Sequence, residues 1–224
     1  MFKELDILNF YKLHWLQEYL QNTNGIIAGG CFKNIFNNEK VKDIDVFFRN
    51  ETDWQSAVDT FDEVTVGHKS LFDPEDDGLK ESEAIFKFHY ENDNVKAYKH
   101  IKSGIVVELC RKIFGEPEDI IKQFDFTITK FTMYKEEVIE DDGYTKHIET
   151  KLLCHEDFFE HLHLKRLVID ENIPFPMSTF ERMLRYVRYG YMPCKETKIK
   201  LCREINKLSP ELIEVSEALY NGMD

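Results

Sequence analysis

Along the first two thirds of the chain, short apolar runs trade places with amphipathic stretches; beyond about residue 150 only helical spacing remains. The opening ELDILNFYKLHWLQEYLQ sets Leu5, Leu8, Tyr11, Leu16 and Leu20 at roughly helical intervals, which predicts one amphipathic helix. GIIAG is a short apolar run ending in glycine, as a buried strand is, and CFKNIFNN predicts a short helix ended by Asn37-Asn38. KVKDIDVFF alternates and then turns wholly apolar, like a strand entering a core. TDWQSAVDTF predicts a helix with Thr52 as N-cap, and FDPEDDGLKES an acidic, turn-rich loop. EAIFKFHY, VKAYKHI and GIVVELC predict three strands, with a hairpin turn at Asn92–Asn94. VIEDDGYTKHIE, with Asp-Gly between alternating flanks, predicts a second hairpin.

Four segments of the remainder have helical character: HEDFFEHLHLKRLVI, STFERMLRYVRYG, ETKIKLCREINK and SPELIEVSEALYNG. Ser178-x-x-Glu181 has the form of a capping box, and Ser209-Pro210 sets an N-cap before a first-turn proline. The expected architecture is α+β: a mixed sheet with flanking helices over residues 1–150, then a small all-helical segment over 151–224.

Composition narrows the class. With 224 residues, 42% hydrophobic, the chain can bury one full core or a core plus a small helical unit. Apolar runs fall short of the roughly 18–20 residues that span a bilayer, and the charged N-terminus lacks a signal-peptide pattern, so no membrane partner is expected. The five cysteines are odd in number and scattered without a C-x-x-C pair, which favours reduced thiols and a cytoplasmic location. Net charge is −13, yet residues 165–203 hold nine basic against four acidic side chains, so the one basic stretch lies in the helical part. His155, His161 and His163 invite a zinc reading, but i, i+2 spacing does not put two histidines on one helix face, so none is expected.

The chemistry concentrates between Gly29 and Phe48. In a strand, Asp43 and Asp45 share a face, and two carboxylates that close resist joint ionisation unless a cation shares them. Hard oxygen ligands suit Mg²⁺, which usually completes its shell with water and substrate phosphates. Gly29 and Gly30 let a backbone approach phosphate oxygens, and the helix after them points N–H groups the same way. Lys33, one turn into that helix, is positioned in sequence to add a positive charge for a triphosphate. Glu108, set in the apolar run IVVELC, is a candidate third acid, since a charge there needs a reason.

The segment GGCFKNIFNNEKVKDIDVFF resembles the first motif of class II CCA-adding enzymes and bacterial poly(A) polymerases, in the DNA polymerase beta nucleotidyltransferase superfamily. That motif reads G-G-x-V-R-D, a short helix, then D-x-D; here Phe32, Lys33 and Asn34 stand in the V-R-D places. VELCRKIFGEPEDIIKQFDFTITKF is similar to the stretch ending R-R-D-F-T-I-N-A, with Asp125 on its aspartate. FERMLRYVRYGY is similar to L-R-x-L-R-x-x-R-F, with Arg182, Arg185 and Arg188 on its arginines. The departures are Gln123 and Phe124 for the two arginines before Asp125, Thr129 for the asparagine, and no E-D-x-x-R segment.

The resemblance implies a nucleotidyltransferase: Mg²⁺ (or Mn²⁺) on Asp43 and Asp45, catalysis by these with Glu108, and a nucleoside triphosphate contacting Gly29, Gly30, Lys33, Asp125, Arg182, Arg185 and Arg188. By family analogy the acceptor is an RNA 3′ end. A protein or small-molecule acceptor is the alternative, favoured by the net negative charge, and a non-catalytic nucleotide-binding module is a further one. A solvated basic face is the plain alternative for the three arginines.

Overall fold

The computed structural model describes residues 1–69, 78–140, 143–170 and 173–208. The bulk of the expected acidic loop and the Ser209-Pro210 helix lie outside the described residues. Those described build one large sheet with strand order β1-β8-β7-β2-β3-β6-β5-β4. Its strands are β1 (Phe2–Leu5), β2 (Ile26–Ala28), β3 (Asp43–Phe48), β4 (Phe86–Glu91), β5 (Val95–His100), β6 (Val106–Phe114), β7 (Phe131–Ile139) and β8 (Lys146–His155). β3 and β6 run parallel; the other adjacent pairs in this sheet are antiparallel. Both expected hairpins form, β4–β5 and β7–β8.

The helices are α1 (Gly30–Phe36), α2 (Glu51–Glu63), α3 (Pro117–Lys122), α4 (Phe158–His163), α5 (Pro176–Arg188) and α6 (Lys195–Ile205). The main core lies on one face of the sheet, where Ile27, Ile44, Val46, Phe48, Val107 and Leu109 meet α1 and α2. α2 buries Trp54, Ala57, Val58 and Phe61, an i, i+3, i+4, i+7 stripe. The opposite face carries smaller clusters, one beneath α3 around Ala28, Ile120 and Ile121, the other around Val95, Ala97 and Cys110. Among the described residues no helix is long and apolar enough to cross a membrane.

Four local expectations need correction. The single N-terminal helix is instead strand β1, paired with β8, followed by 3₁₀ segments at Ile7–Asn9 and Tyr11–Leu20. Leu13, Leu16 and Tyr19 are buried three apart, a repeat that matches 3.0 rather than 3.6 residues per turn. α2 is capped by Asn50, whose side chain accepts from the Asp53 N–H, and Thr52 falls inside the helix. α5 starts at Pro176 rather than after Ser178: a first-turn proline presets helical φ, and Ser178 becomes a buried residue of the first turn. Strand structure also runs past residue 150 to His155 and reappears as a short parallel pair, β9 (Arg166–Leu167) with β10 (Met192–Pro193).

Candidate active site

β3 sends Ile44, Val46 and Phe48 into the main core, so Asp43 and Asp45 both lie on the other face. Cross-strand register then determines who meets them. Asp45 stands opposite Ala28 of β2 on one side and Glu108 of β6 on the other; Ala97 of β5 faces Glu108, and Tyr90 of β4 faces Ala97. Directly opposed residues share a face, so one row crosses five strands as Ala28, Asp45, Glu108, Ala97, Tyr90, with Asp43 one step along. The alanines leave room beside the carboxylates. Tyr90 Oη reaches over Ala97 and donates to Glu108 Oε1 at 2.7 Å.

Asp43 is exposed, while Asp45 and Glu108 are half-buried. Burial, then the charges of Glu108 and Asp43, push the Asp45 carboxyl well above the ordinary carboxylate range. Burial raises Glu108 as well, against the opposing pull of the Tyr90 hydrogen bond. Burial and the same carboxylates push the flanking thiols of Cys31 and Cys110 up, which keeps them protonated and weakly reactive. Among the described residues no three His, Cys, Asp or Glu side chains are gathered into a ready-made metal cage. The donor set nevertheless fits a hard divalent cation: all oxygen, adjacent on one face, and mutually repelling until a positive charge is shared.

Gly29 joins β2 to α1 with φ 94° and ψ −144°. A Cβ there would come within 2.9 Å of Phe124 Cε1 and 3.2 Å of Asp45 Oδ2. Glycine is needed on both counts. Gly29→Ala is therefore expected to destabilise the protein by about 1–3 kcal/mol and to shift Asp45; an unchanged thermal midpoint would rule out this tight junction. Gly30 opens α1, and a Cβ on it would lie 3.9 Å from Tyr186 Oη.

Asp125 is only 4% exposed, and its Oδ2 accepts from Arg182 Nε at 2.9 Å and Nη2 at 2.7 Å. The neighbouring Phe126 meets the ring of Tyr186 at 5.5 Å, so α5 is fastened over Asp125 and the start of α1. Arg185 is half-buried on the same helix, and Arg188 is exposed in its last turn. The structure thus groups Asp43, Asp45, Glu108, Gly29, Gly30, Asp125 and Arg182. It does not bring Lys33 to them. Lys33 is 5% exposed; its ammonium bonds Asn34 and Glu39 and lies 5.6 and 5.9 Å from the ring centres of Tyr189 and Tyr191. A buried ammonium requires a counter-charge, and Glu39 provides it. His161 Nδ1 pairs with the Thr127 hydroxyl at 2.9 Å, and His155 Nε2 lies 3.4 Å from Asp170.

Two residues take roles in the site that the sequence does not announce. Tyr90 finds Glu108 only through strand register, and Phe124 replaces a motif arginine with a ring that touches Gly29 and meets Phe47 edge-on at 5.8 Å.

A mixed sheet with paired strand aspartates behind a Gly-Gly turn is a nucleotidyltransferase-type fold, and solved structures agree. The chain superposes on the Thermotoga maritima CCA-adding enzyme complexed with tRNA (TM-score 0.53, 12% identity, 92% of this chain and 46% of that one). It also superposes on CCA-adding enzyme structures with CTP (0.52, 12%, covering 94% and 48%) and with ATP (0.51, 13%, covering 96% and 50%). At these identities the likeness is one of fold. The chain itself belongs to the Gabija anti-defense 2 family, whose profile matches residues 6–165. A curated relative, Gabija anti-defense 2 of Bacillus phage SPbetaL7, is 24% identical over 209 residues, 93% of this chain and 44% of the relative. The chain spans less than half the length of that relative.

Proposed function

We propose that this protein is a divalent-cation-dependent nucleotidyltransferase that moves a nucleoside monophosphate from an NTP onto a hydroxyl, with pyrophosphate leaving. The observation that carries the reading is the row of Asp45 and Glu108, flanked by Asp43, directly beside the strained Gly29 junction. Asp43 and Asp45 would hold Mg²⁺ or Mn²⁺. When bound, such an ion neutralises phosphate charge and lowers the pKa of an attacking hydroxyl. Glu108, oriented by Tyr90 and raised by burial, is the group suited to take the proton from that hydroxyl. Gly29 and Gly30 admit phosphate oxygens close to the backbone. Arg182, locked on Asp125, supplies a fixed positive edge. In this reading the sheet-bearing residues to about 150 form the head that does the chemistry, and the helical remainder acts as a neck.

An RNA 3′ end is the acceptor favoured by the fold likeness and by the basic stretch on α5 and α6. The net charge of −13 and the anti-defense family favour instead a protein or small-molecule hydroxyl. Incubation with each labelled NTP, Mg²⁺ and total cellular RNA or protein separates these acceptors by the fraction that takes the label. Nucleotide binding without transfer to either would leave a non-catalytic binding module. Arg185→Ala is expected to weaken NTP or acceptor binding roughly tenfold while leaving the fold intact; equal affinities would return this arginine to a solvated face.

A further inference from the structure

We infer that Lys112, with Arg182, forms the subsite for the phosphate tail of a nucleoside triphosphate, supplying the charge that Gln123 and Phe124 do not. The inference rests on the nucleotidyl-transfer reading of the site.

Lys112 lies on β6, the strand that carries Glu108. Arg111 stacks its guanidinium on Trp54 of α2 at 4.9 Å, and Trp54 Nε1 donates to the Leu109 carbonyl. Leu109 and Arg111 thus serve the α2 side, while Cys110 clusters with Val95 and Ala97 on the carboxylate side, and Lys112 follows two residues on. The β3–β6 ladder shifts register here: Val46 pairs with Leu109, and the next pairing is Phe48 with Phe114. Such an irregularity beside an active site re-aims side chains. Lys112 falls within this irregular stretch, exposed to solvent.

Its ammonium sits 4.4 Å from the ring centre of Phe175, the N-cap residue just before α5. Arg182 lies seven residues on, two helical turns along the same side of α5. The two cations are close enough that Arg182, after burial, holds the Lys112 ammonium below its ordinary range. Toward an anion of high charge density the two positive groups would act together, Lys112 from β6 and Arg182 from α5. Arg182 is already aimed by Asp125 and brings a rigid fork; Lys112 brings a compact point charge. Phe124, by contrast, lays an uncharged ring against Gly29. The phosphate charge that an arginine there would meet is instead met from β6.

The test measures binding rather than turnover. Lys112→Met keeps the aliphatic stem over Phe175 and removes the charge; Lys112→Arg keeps the charge. Calorimetric titration in Mg²⁺ uses ATP, inorganic tripolyphosphate, and AMP, which has no β- or γ-phosphate. Lys112→Met is expected to weaken ATP and tripolyphosphate by roughly tenfold or more, to leave AMP within about twofold, and to be largely rescued in Lys112→Arg. Equal tripolyphosphate affinity in the wild-type and Lys112→Met proteins would overturn the subsite while leaving the transferase reading standing. A parallel loss of AMP binding would also overturn it, since the effect would then not belong to the tail. Absence of ATP and tripolyphosphate binding in the wild-type protein would overturn the transferase reading and the subsite together.

Discussion

An Asp43→Ala, Asp45→Ala double variant is expected to lose label transfer from any NTP, by on the order of a thousandfold or more. Charge stabilisation by a divalent ion is worth several kcal/mol at the transition state, and each 1.4 kcal/mol is about a factor of ten. The isosteric Asp45→Asn tests the same position more cleanly because it keeps the row opposite Ala28 and Glu108 filled. It also separates function from stability. Asp45 has a raised folded-state pKa, so its contribution to stability is fully present below the unfolded value near 4 and is lost as pH rises through the folded value. Glu108 acts in the same direction. At neutral pH, in EDTA, Asp45→Asn should therefore melt higher than wild type, by about 2–4 °C for each kcal/mol of repulsion relieved. Mg²⁺ should raise the wild-type midpoint and leave that of Asp45→Asn nearly still. Robust transfer by the double variant, or an Asp45→Asn protein that melts lower than wild type in EDTA, would remove the carboxylates from the chemistry.

Arg182→Ala carries the second large effect, this time on the fold. It leaves Asp125 buried at 4% exposure without either of the hydrogen bonds that its Oδ2 receives from the guanidinium. Breaking a buried pair from one side costs about 3–5 kcal/mol, and the partial exposure of Arg182 points to the lower end, about 3. For a chain of this size that is a fall of about 6–12 °C in melting temperature. Removing both charges, as Asp125→Asn with Arg182→Met, should cost much less than the two single changes together, because no unpaired carboxylate remains. Additive losses would mean that the pair does not hold α5 to the segment around Asp125.

The parts of this molecule that were legible in the sequence are those governed by a local period. Ile27, Ile44, Val46 and Phe48 announce two buried strands, and period two places Asp43 beside Asp45 without further information. Glu108 stands out because its strand is otherwise apolar. Its position directly opposite Asp45 is a matter of register between distant segments, which one segment alone does not specify. Tyr90 and Lys112 were hidden for the same reason. Lys33 was misplaced because helical spacing gives a direction around the axis and not what lies there; Glu39, Tyr189 and Tyr191 come from elsewhere in the chain. The N-terminal segment misled because a repeat of three and a repeat of 3.6 differ little over ten residues.

The parallel pairing of β3 with β6 has a consequence for how the protein comes into being. Antiparallel neighbours can zip from a turn, but these two strands meet only after the α2, β4 and β5 excursion has closed behind them. The chain entropy surrendered there is returned only on completion, which makes this pairing slower to close than the β4–β5 and β7–β8 hairpins. Asp45 and Glu108 straddle that seam. A nascent or partly unfolded chain would hold Gly29 and both β3 acids yet lack their β6 neighbour, so competence requires this long-range pairing and is forfeited wherever it opens.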